Sequence, residues 1–230
     1  MMPEIPEMPE TTEKPETTEI QEITDIAKKA ADKAPAPFTN LVFIISGPSG
    51  AGKGTLCQEL LRADKNLALS VSATTRAPRP GERYGREYYF YTQEEFDAAR
   101  RAEGFLEWAE VHGRCYGTLK KEVEKILASG KDCLLEIDVQ GGLRVRQALG
   151  RNCVTIFVDV PDNKELIRRI VRRNQENEEE IRSRMATADW ERTRKGQYRY
   201  VVINNRLRDA VEETRKIIKK AREEYASAIN

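Results

Sequence analysis

The segment Gly47-Pro48-Ser49-Gly50-Ala51-Gly52-Lys53 constrains this chain more than any other. It follows a continuous apolar run, residues 41–46 (LVFIIS), and precedes helical spacing over residues 54–62. A run of that length suits a strand buried on both faces of a parallel sheet. A GxxxxGK segment between such a strand and a helix reads as a phosphate-binding loop. Its backbone N–H groups surround phosphate oxygens, and the helix N-terminus adds the positive end of its dipole. Glycines let the backbone approach without a Cβ clash, and Lys53 is placed to reach the outer phosphates. The pattern asks for Ser or Thr after the lysine to hold Mg²⁺; here Gly54 stands there and Thr55 follows. Two readings are open. Either Thr55 contacts a phosphate from the next position, or Mg²⁺ is held mostly by water and nucleotide oxygens, which suits an ion that keeps several waters.

Downstream, strand signals alternate with helical ones. Residues 68–71 are a short apolar run, 74–87 a polar loop rich in Arg and Pro, and 88–91 strand-like. Thr92-Gln93-Glu94-Glu95 reads as a capping box opening a helix to about Arg101. Residues 105–111 alternate weakly, as a strand does, and 118–129 read as a helix stopped by Gly130. Buried strands are expected at 133–139 (CLLEIDV) and 153–160 (CVTIFVDV), with helices over 142–149, 162–173 and 180–194. A polar break at 174–179, a strand at 198–204 and a long helix over 209–226 complete the pattern. Such alternation predicts an α/β fold with a parallel sheet flanked by helices. The β-rich stretch of about 72–117 interrupts it as an insertion.

Residues 1–19 are almost all Pro, Glu, Thr and Met. They carry too little apolar surface to offset the entropy of ordering. A short helix is expected over 20–33, broken at 34–37. Residues 1–38 therefore read as a disordered tail; a solvated tail is favoured over a docking arm. Net charge is +1, from 39 Lys+Arg against 38 Asp+Glu, so overall charge points to neither nucleic acid nor membrane. Four cysteines form no CxxC pair and only one histidine is present, which excludes a Cys/His zinc site. Cys133 and Cys153 sit in apolar runs and read as small core residues. With no transmembrane run and no signal peptide, the chain reads as cytoplasmic.

Arg76-Ala77-Pro78-Arg79 places two arginines three apart around a proline, and Arg suits bidentate phosphate recognition. With SGPSGAGKGT (46–55), SVSATTRAPRPGE (70–82), GREYYF (85–90), FLEWAEVHGRCYGT (105–118), LLEIDVQG (134–141) and VVIN (201–204), the chain resembles the guanylate kinase family over about residues 40–225. The resemblance implies a domain over 39–230, with a core at 39–71 and 119–230. It further implies a β-rich GMP-binding insertion at about 72–118 and a helical lid at about 165–190. It implies transfer of the γ-phosphoryl group of MgATP to GMP, with ATP bound by Gly47, Pro48, Ser49, Gly50, Ala51, Gly52, Lys53, Gly54 and Thr55. Arg76, Arg79, Tyr88 and Tyr116 would hold the GMP phosphate; Ser72, Glu107, Thr118 and Asp138 would hold the guanine. Lys53, Arg76 and the lid arginines Arg169, Arg173 and Arg184 would face the transferring phosphoryl group.

The residue types fit that assignment. Guanine presents two adjacent donors, N1–H and the 2-amino group, and one carboxylate accepts both. Adenine has no donor at N1 and would leave Glu107 partly unpaired. Phe105 and Trp108, beside it, read as core residues. Glu136 and Asp138 are two residues apart on an expected strand, hence on one face near its C-terminal end, where ligands of parallel sheets collect. Glu136 replaces the Asp found in many family members, and whether it orders a magnesium-bound water stays open, as does direct metal ligation by Thr55. In the lid Arg172-Arg173-Asn174-Gln175 departs from the usual arginine-glycine pattern, and Arg172 and Arg173 compete for one role. His112 reads as incidental. Two alternatives stand beside this reading: a kinase-like module that binds phosphorylated partners, and a kinase for another nucleoside monophosphate.

Overall fold

A computed structural model describes residues 40–111, 113–173 and 178–229, of which residues 172, 173 and 229 are described by backbone alone. The expected tail and its short helix, His112, and the side chains of Arg172 and Arg173 lie outside the described residues. Those that are described fall in one unit, Phe38–Asn230.

Five strands form one sheet: β1 (Val42–Ser46), β2 (Leu67–Leu69), β7 (Asp132–Glu136), β8 (Cys153–Asp159) and β9 (Tyr200–Ile203). Their order is β2-β7-β1-β8-β9, and every pair is parallel. All of β1 and β8 is buried, because helices cover both faces. Phe43 and Ile45 turn toward α1 (Lys53–Ala63), α5 (Asn163–Arg173), α6 (Glu178–Arg192) and α7 (Leu207–Ile229), packing with Leu56, Leu60, Leu166, Ile170, Ala188 and Ile218. Val42 and Ile44 turn toward α3 (Lys120–Ala128) and α4 (Val139–Leu149), packing with Val123, Leu127 and Val145. The period-two alternation of a strand delivers one apolar set to each layer. Cys133 and Cys153 are buried free thiols of this core, as expected.

A second sheet is formed by β3 (Ala73–Thr74), β4 (Tyr89–Phe90), β5 (Phe105–Val111) and β6 (Arg114–Leu119), in the order β4-β3-β6-β5. It has its own small core. Phe96 of α2 (Gln93–Arg101) stacks on Phe105 with ring centroids 4.5 Å apart, among Ala73, Cys115 and Leu119. The capping box predicted for α2 is present: Thr92 Oγ1 accepts from Glu95 N–H, and the Glu95 carboxylate accepts from Thr92 N–H.

Several boundaries differ from the sequence reading. Thr118 and Leu119 belong to β6, and the helix read from 118 starts at Lys120. Strand β6 gives no alternation signal because Gly117 interrupts it, and that glycine is required: a Cβ there would lie 2.7 Å from the Phe105 ring. β7 ends at Glu136, so Val139 opens α4 instead of closing a strand. Glu178 and Glu179 belong to α6, not to the polar break. Trp108 is not core: it is 36% exposed, with the Arg100 guanidinium 5.0 Å from its ring centroid, whereas Phe105 is buried.

Candidate active site

The loop from Gly47 to Gly52 connects the C-terminal end of β1 to α1. Gly50 and Gly52 have φ of 90° and 88°, and a Cβ on Gly47 would lie 2.0 Å from the Val158 carbonyl oxygen. These glycines are therefore demanded by backbone conformation and by contact with β8. No side chain caps α1, and its first turn holds no acid. Helix-start N–H groups left without a side-chain cap are anion-binding groups. The loop is clamped from outside by Asn204 at the end of β9. Asn204 is buried, its Nδ2 donates to Ala51 O at 2.8 Å, and its N–H donates to Asp159 O at 2.7 Å. The sequence reading gave Asn204 no role, although the VVIN stretch contains it.

Lys53 Nζ donates to Gly47 O at 2.6 Å and to Pro48 O at 3.2 Å, so the ammonium lies over its own loop. Arg169 of α5 reaches the same loop. Its guanidinium donates to Asn204 O at 2.8 Å and to Ala51 O at 3.4 Å, while Nε is held by Glu165 at 2.6 Å. These bonds set Arg169 against the loop's outer edge. A Cβ on Gly54 would lie 3.3 Å from Glu136 Oε2, tight enough that a larger residue there would press on the carboxylate. Gly54 and Glu136 therefore go together: the loop gives up the usual hydroxyl and a carboxylate from β7 comes beside it. Thr55 is exposed on α1. Among the described residues no three His, Cys, Asp or Glu gather as a metal cluster.

A second cluster forms at the mouth of the small sheet. Arg76 donates to Glu82 at 2.9 Å and to Ala77 O at 2.7 Å, and its guanidinium carbon lies 5.4 Å from the Tyr88 ring centroid. Tyr88 meets Tyr116 edge-on, with centroids 6.0 Å apart. Burial raises the Tyr88 phenol above its usual range, and the Glu136 charge adds to that. Glu82 also accepts from Arg79 N–H at 2.7 Å; this bond, more than the Arg76 guanidinium, lowers its carboxyl. Glu82 was missing from the sequence reading. An acid three residues beyond Arg79 was the available signal. The Arg79 side chain is exposed in its loop.

The third cluster is buried. Glu107 on β5 is only 6% exposed, and its Oε1 accepts from Thr118 Oγ1 on β6 at 2.7 Å. Burial pushes its carboxyl up to about 7, against the Thr118 hydrogen bond and with the Asp138 charge adding to the rise. Asp138 is the N-cap of α4, accepting from Gly141 N–H at 3.0 Å. It therefore lies past the end of β7, and the shared-face argument from strand period does not apply to Glu136 and Asp138. A turn and a helix start bring Asp138 in instead. Gly141 permits the approach, since a Cβ there would lie 2.6 Å from Glu107 Oε2. Ser72 lies just before β3, half-buried, its carbonyl accepting from Tyr89 N–H at 2.9 Å. Arg184 lies half-buried on α6. Among the residues named for a nucleotide, Lys53, Arg169, Gly54 and Glu136 come together at the loop. Arg76, Tyr88 and Tyr116 come together at the small sheet, and Glu107, Thr118 and Asp138 around the buried carboxylate.

Comparison with known proteins gives the family. The family described as guanylate kinase matches residues 39–221. A guanylate kinase of Caldanaerobacter subterraneus is 48% identical over 178 residues, covering 77% of this chain and 86% of that protein. One from Cereibacter sphaeroides is 50% identical over 179 residues, covering 77% and 84%. Among solved structures, a guanylate kinase from Anaplasma phagocytophilum superposes with a TM-score of 0.65 at 28% identity, covering 81% of this chain and 88% of that one.

Proposed function

The chain belongs to the guanylate kinase family and transfers the γ-phosphoryl group of ATP to GMP, giving ADP and GDP, and we propose that its three clusters divide that work. The observation that carries the division is the buried Glu107 carboxylate beside Thr118 and Asp138. An acceptor-only group in a desolvated pocket suits guanine, whose N1–H and 2-amino groups donate side by side. Thr118 and Asp138 hold the pocket's shape, and Ser72 borders it. The small sheet, about 72–118, is then the GMP-binding insertion, and α5 and α6 belong to the lid.

Arg76, with Arg79, Tyr88 and Tyr116, takes the GMP phosphate. Glu82 and the Tyr88 face hold the Arg76 guanidinium in place before any ligand arrives, which lowers the ordering cost of binding. The donor phosphates lie on the loop amides of Gly47–Thr55, and Lys53 exchanges its loop carbonyls for phosphate oxygens. Transfer passes through a loose transition state, so the protein chiefly aligns the two phosphates and neutralises charge. Arg169 adds positive charge from the loop's edge; Arg173 and Arg184 are proposed to add theirs when the lid closes.

A kinase that uses ATP works with a divalent cation, here proposed to be Mg²⁺. A carboxylate beside the loop with no serine hydroxyl fits an ion that keeps most of its water, with Glu136 facing that water. When bound, the ion supplies neutralisation of phosphate charge. No helix among the described residues is long and apolar enough to cross a membrane, and the proposed compartment is the cytoplasm.

The test is ADP formation with MgATP and, separately, GMP, AMP, UMP and CMP. Turnover with GMP alone supports the guanine-reading assignment. Turnover with AMP or UMP would show a kinase for another monophosphate. No turnover from folded protein that binds GMP would favour a module for phosphorylated partners.

A further inference from the structure

Two threonines that none of the proposed roles uses sit where the small sheet ends and the arginine loop begins. Strand β3 is two residues long, and its ladder with β6 ends at the pair Thr74 and Tyr116. Beyond that pair the chain leaves the sheet as the loop that carries Arg76 and Arg79. Thr74 is fully buried. Its Oγ1 donates to Cys115 O at 2.9 Å and accepts from Arg76 N–H at 3.2 Å. Thr75 completes the joint: its N–H donates to Cys115 O at 3.0 Å, and its Oγ1 accepts from Cys115 N–H at 2.9 Å. Both backbone groups of Cys115 are thereby held, one residue before Tyr116. From the other side, Thr74 O accepts from Tyr91 N–H at 2.9 Å. One buried hydroxyl thus bonds both the backbone of Arg76 and the backbone next to Tyr116.

We infer that Thr74 is a positioning residue for binding of the acceptor phosphate: its hydroxyl fixes where Arg76 stands relative to Tyr116. Glu82 orients the Arg76 guanidinium, but it lies on the same loop and moves with it. Thr74 instead ties the start of that loop to β6, the strand that carries Tyr116. A hydroxyl is suited to the joint because it donates one hydrogen bond and accepts others at the same atom. Removing it takes a partner from the Arg76 N–H and from the Cys115 carbonyl, and the loop must shift to satisfy them again. That shift displaces Arg76. The bonds of Thr74 and Thr75 named above run within the small sheet and its loop, so the donor loop is left as it was. The inference rests on reading Arg76 and Tyr116 as groups that take the GMP phosphate.

The experiment is steady-state kinetics of the full chain with MgATP and GMP. Thr74→Val keeps the shape and removes the hydroxyl. It should raise the KM for GMP about five- to twentyfold, with kcat and the KM for ATP within about twofold of wild type. Thr74→Ser keeps the hydroxyl and should stay within about twofold of wild type in every constant. Thr74→Ala removes the hydroxyl without placing a methyl in its stead, so it carries the test if the valine variant fails to fold. In an Arg76→Ala background the valine should cost no more than about twofold further, because moving an absent guanidinium has no effect. Three results overturn the inference while the phosphate assignment stands: equal losses from valine and serine, a valine effect on both substrates alike, or the full valine loss in the Arg76→Ala background. An unchanged KM for GMP in Arg76→Ala alone overturns the phosphate assignment as well.

Discussion

In the proposed guanine site, Glu107 concentrates the chemistry of recognition in one side chain. Burial holds its carboxyl near 7, yet guanine needs the ionised form, because only a carboxylate accepts two donors at once. Below pH 7 the acid is increasingly protonated, so kcat/KM for GMP should fall by about tenfold per pH unit well below that value. A profile from pH 5.5 to 8.5, wild type against Glu107→Gln, checks this. The variant should lose about 10²-fold in kcat/KM for GMP at pH 8 and show a flatter profile; a loss under twofold would sink the guanine assignment. Glu107 was legible in the sequence as a candidate because its motif is distinctive. Its burial was not, since an acid on a weakly alternating strand reads equally well as exposed.

At the scale of elements, the pocket depends on how closely α4 approaches β5. Gly141 leaves the space that Glu107 Oε2 fills, and Gly142 leaves the space for the Tyr198 hydroxyl and Ser46 Oγ, which a Cβ would approach to 2.5 Å and 2.8 Å. Gly141→Ala should therefore displace the Glu107 carboxylate. The expected outcome is a loss of about 10–100-fold in kcat/KM for GMP with the KM for ATP nearly unchanged, since small misplacements cost that much. An equal loss toward both substrates would show that α4 as a whole had moved. Strand β6 escaped detection for a related reason. Its side-chain pattern is broken by Gly117, which exists to admit the Phe105 ring, so pairing with β5 decides its conformation and local pattern does not. The start of α4 was misread because Ile137 and Val139 continue the apolar run of β7; the Asp138 cap settles the boundary.

At the scale of the molecule, α7 is tied to the main sheet by Arg222, which donates to Asp64 at 2.7 Å and to Asp132 at 2.6 Å. Asp132 is buried and also accepts from Leu41 N–H at 2.7 Å. Arg222→Met leaves that acid without its counter-charge and should cost about 1–3 kcal/mol, read as a lower denaturation midpoint. The two buried acids pushed up to about 7, Glu107 and Glu191, also set a pH dependence for the whole fold. The folded state holds their protons more tightly than the unfolded chain, whose glutamates titrate at about 4.3. Their contribution to stability is present below that value and is lost as pH rises through about 7. The ligand-free protein should therefore lose Tm between pH 5 and 8, and Glu107→Gln with Glu191→Gln should flatten that slope in a thermal melt series.

The phosphate loop, the parallel-sheet class and the family were determined by the sequence alone. Each rests on local signals: glycines at fixed offsets, apolar runs of strand length, and motifs in order along the chain. Only the tertiary structure decided that Asn204 and Arg169 clamp the loop, that Glu136 fills the space beside Gly54, and that Glu107 is desolvated against α4. Those facts depend on contacts between elements far apart in the chain. A carboxyl's environment is set by what packs on it, and no run of neighbouring residues records that.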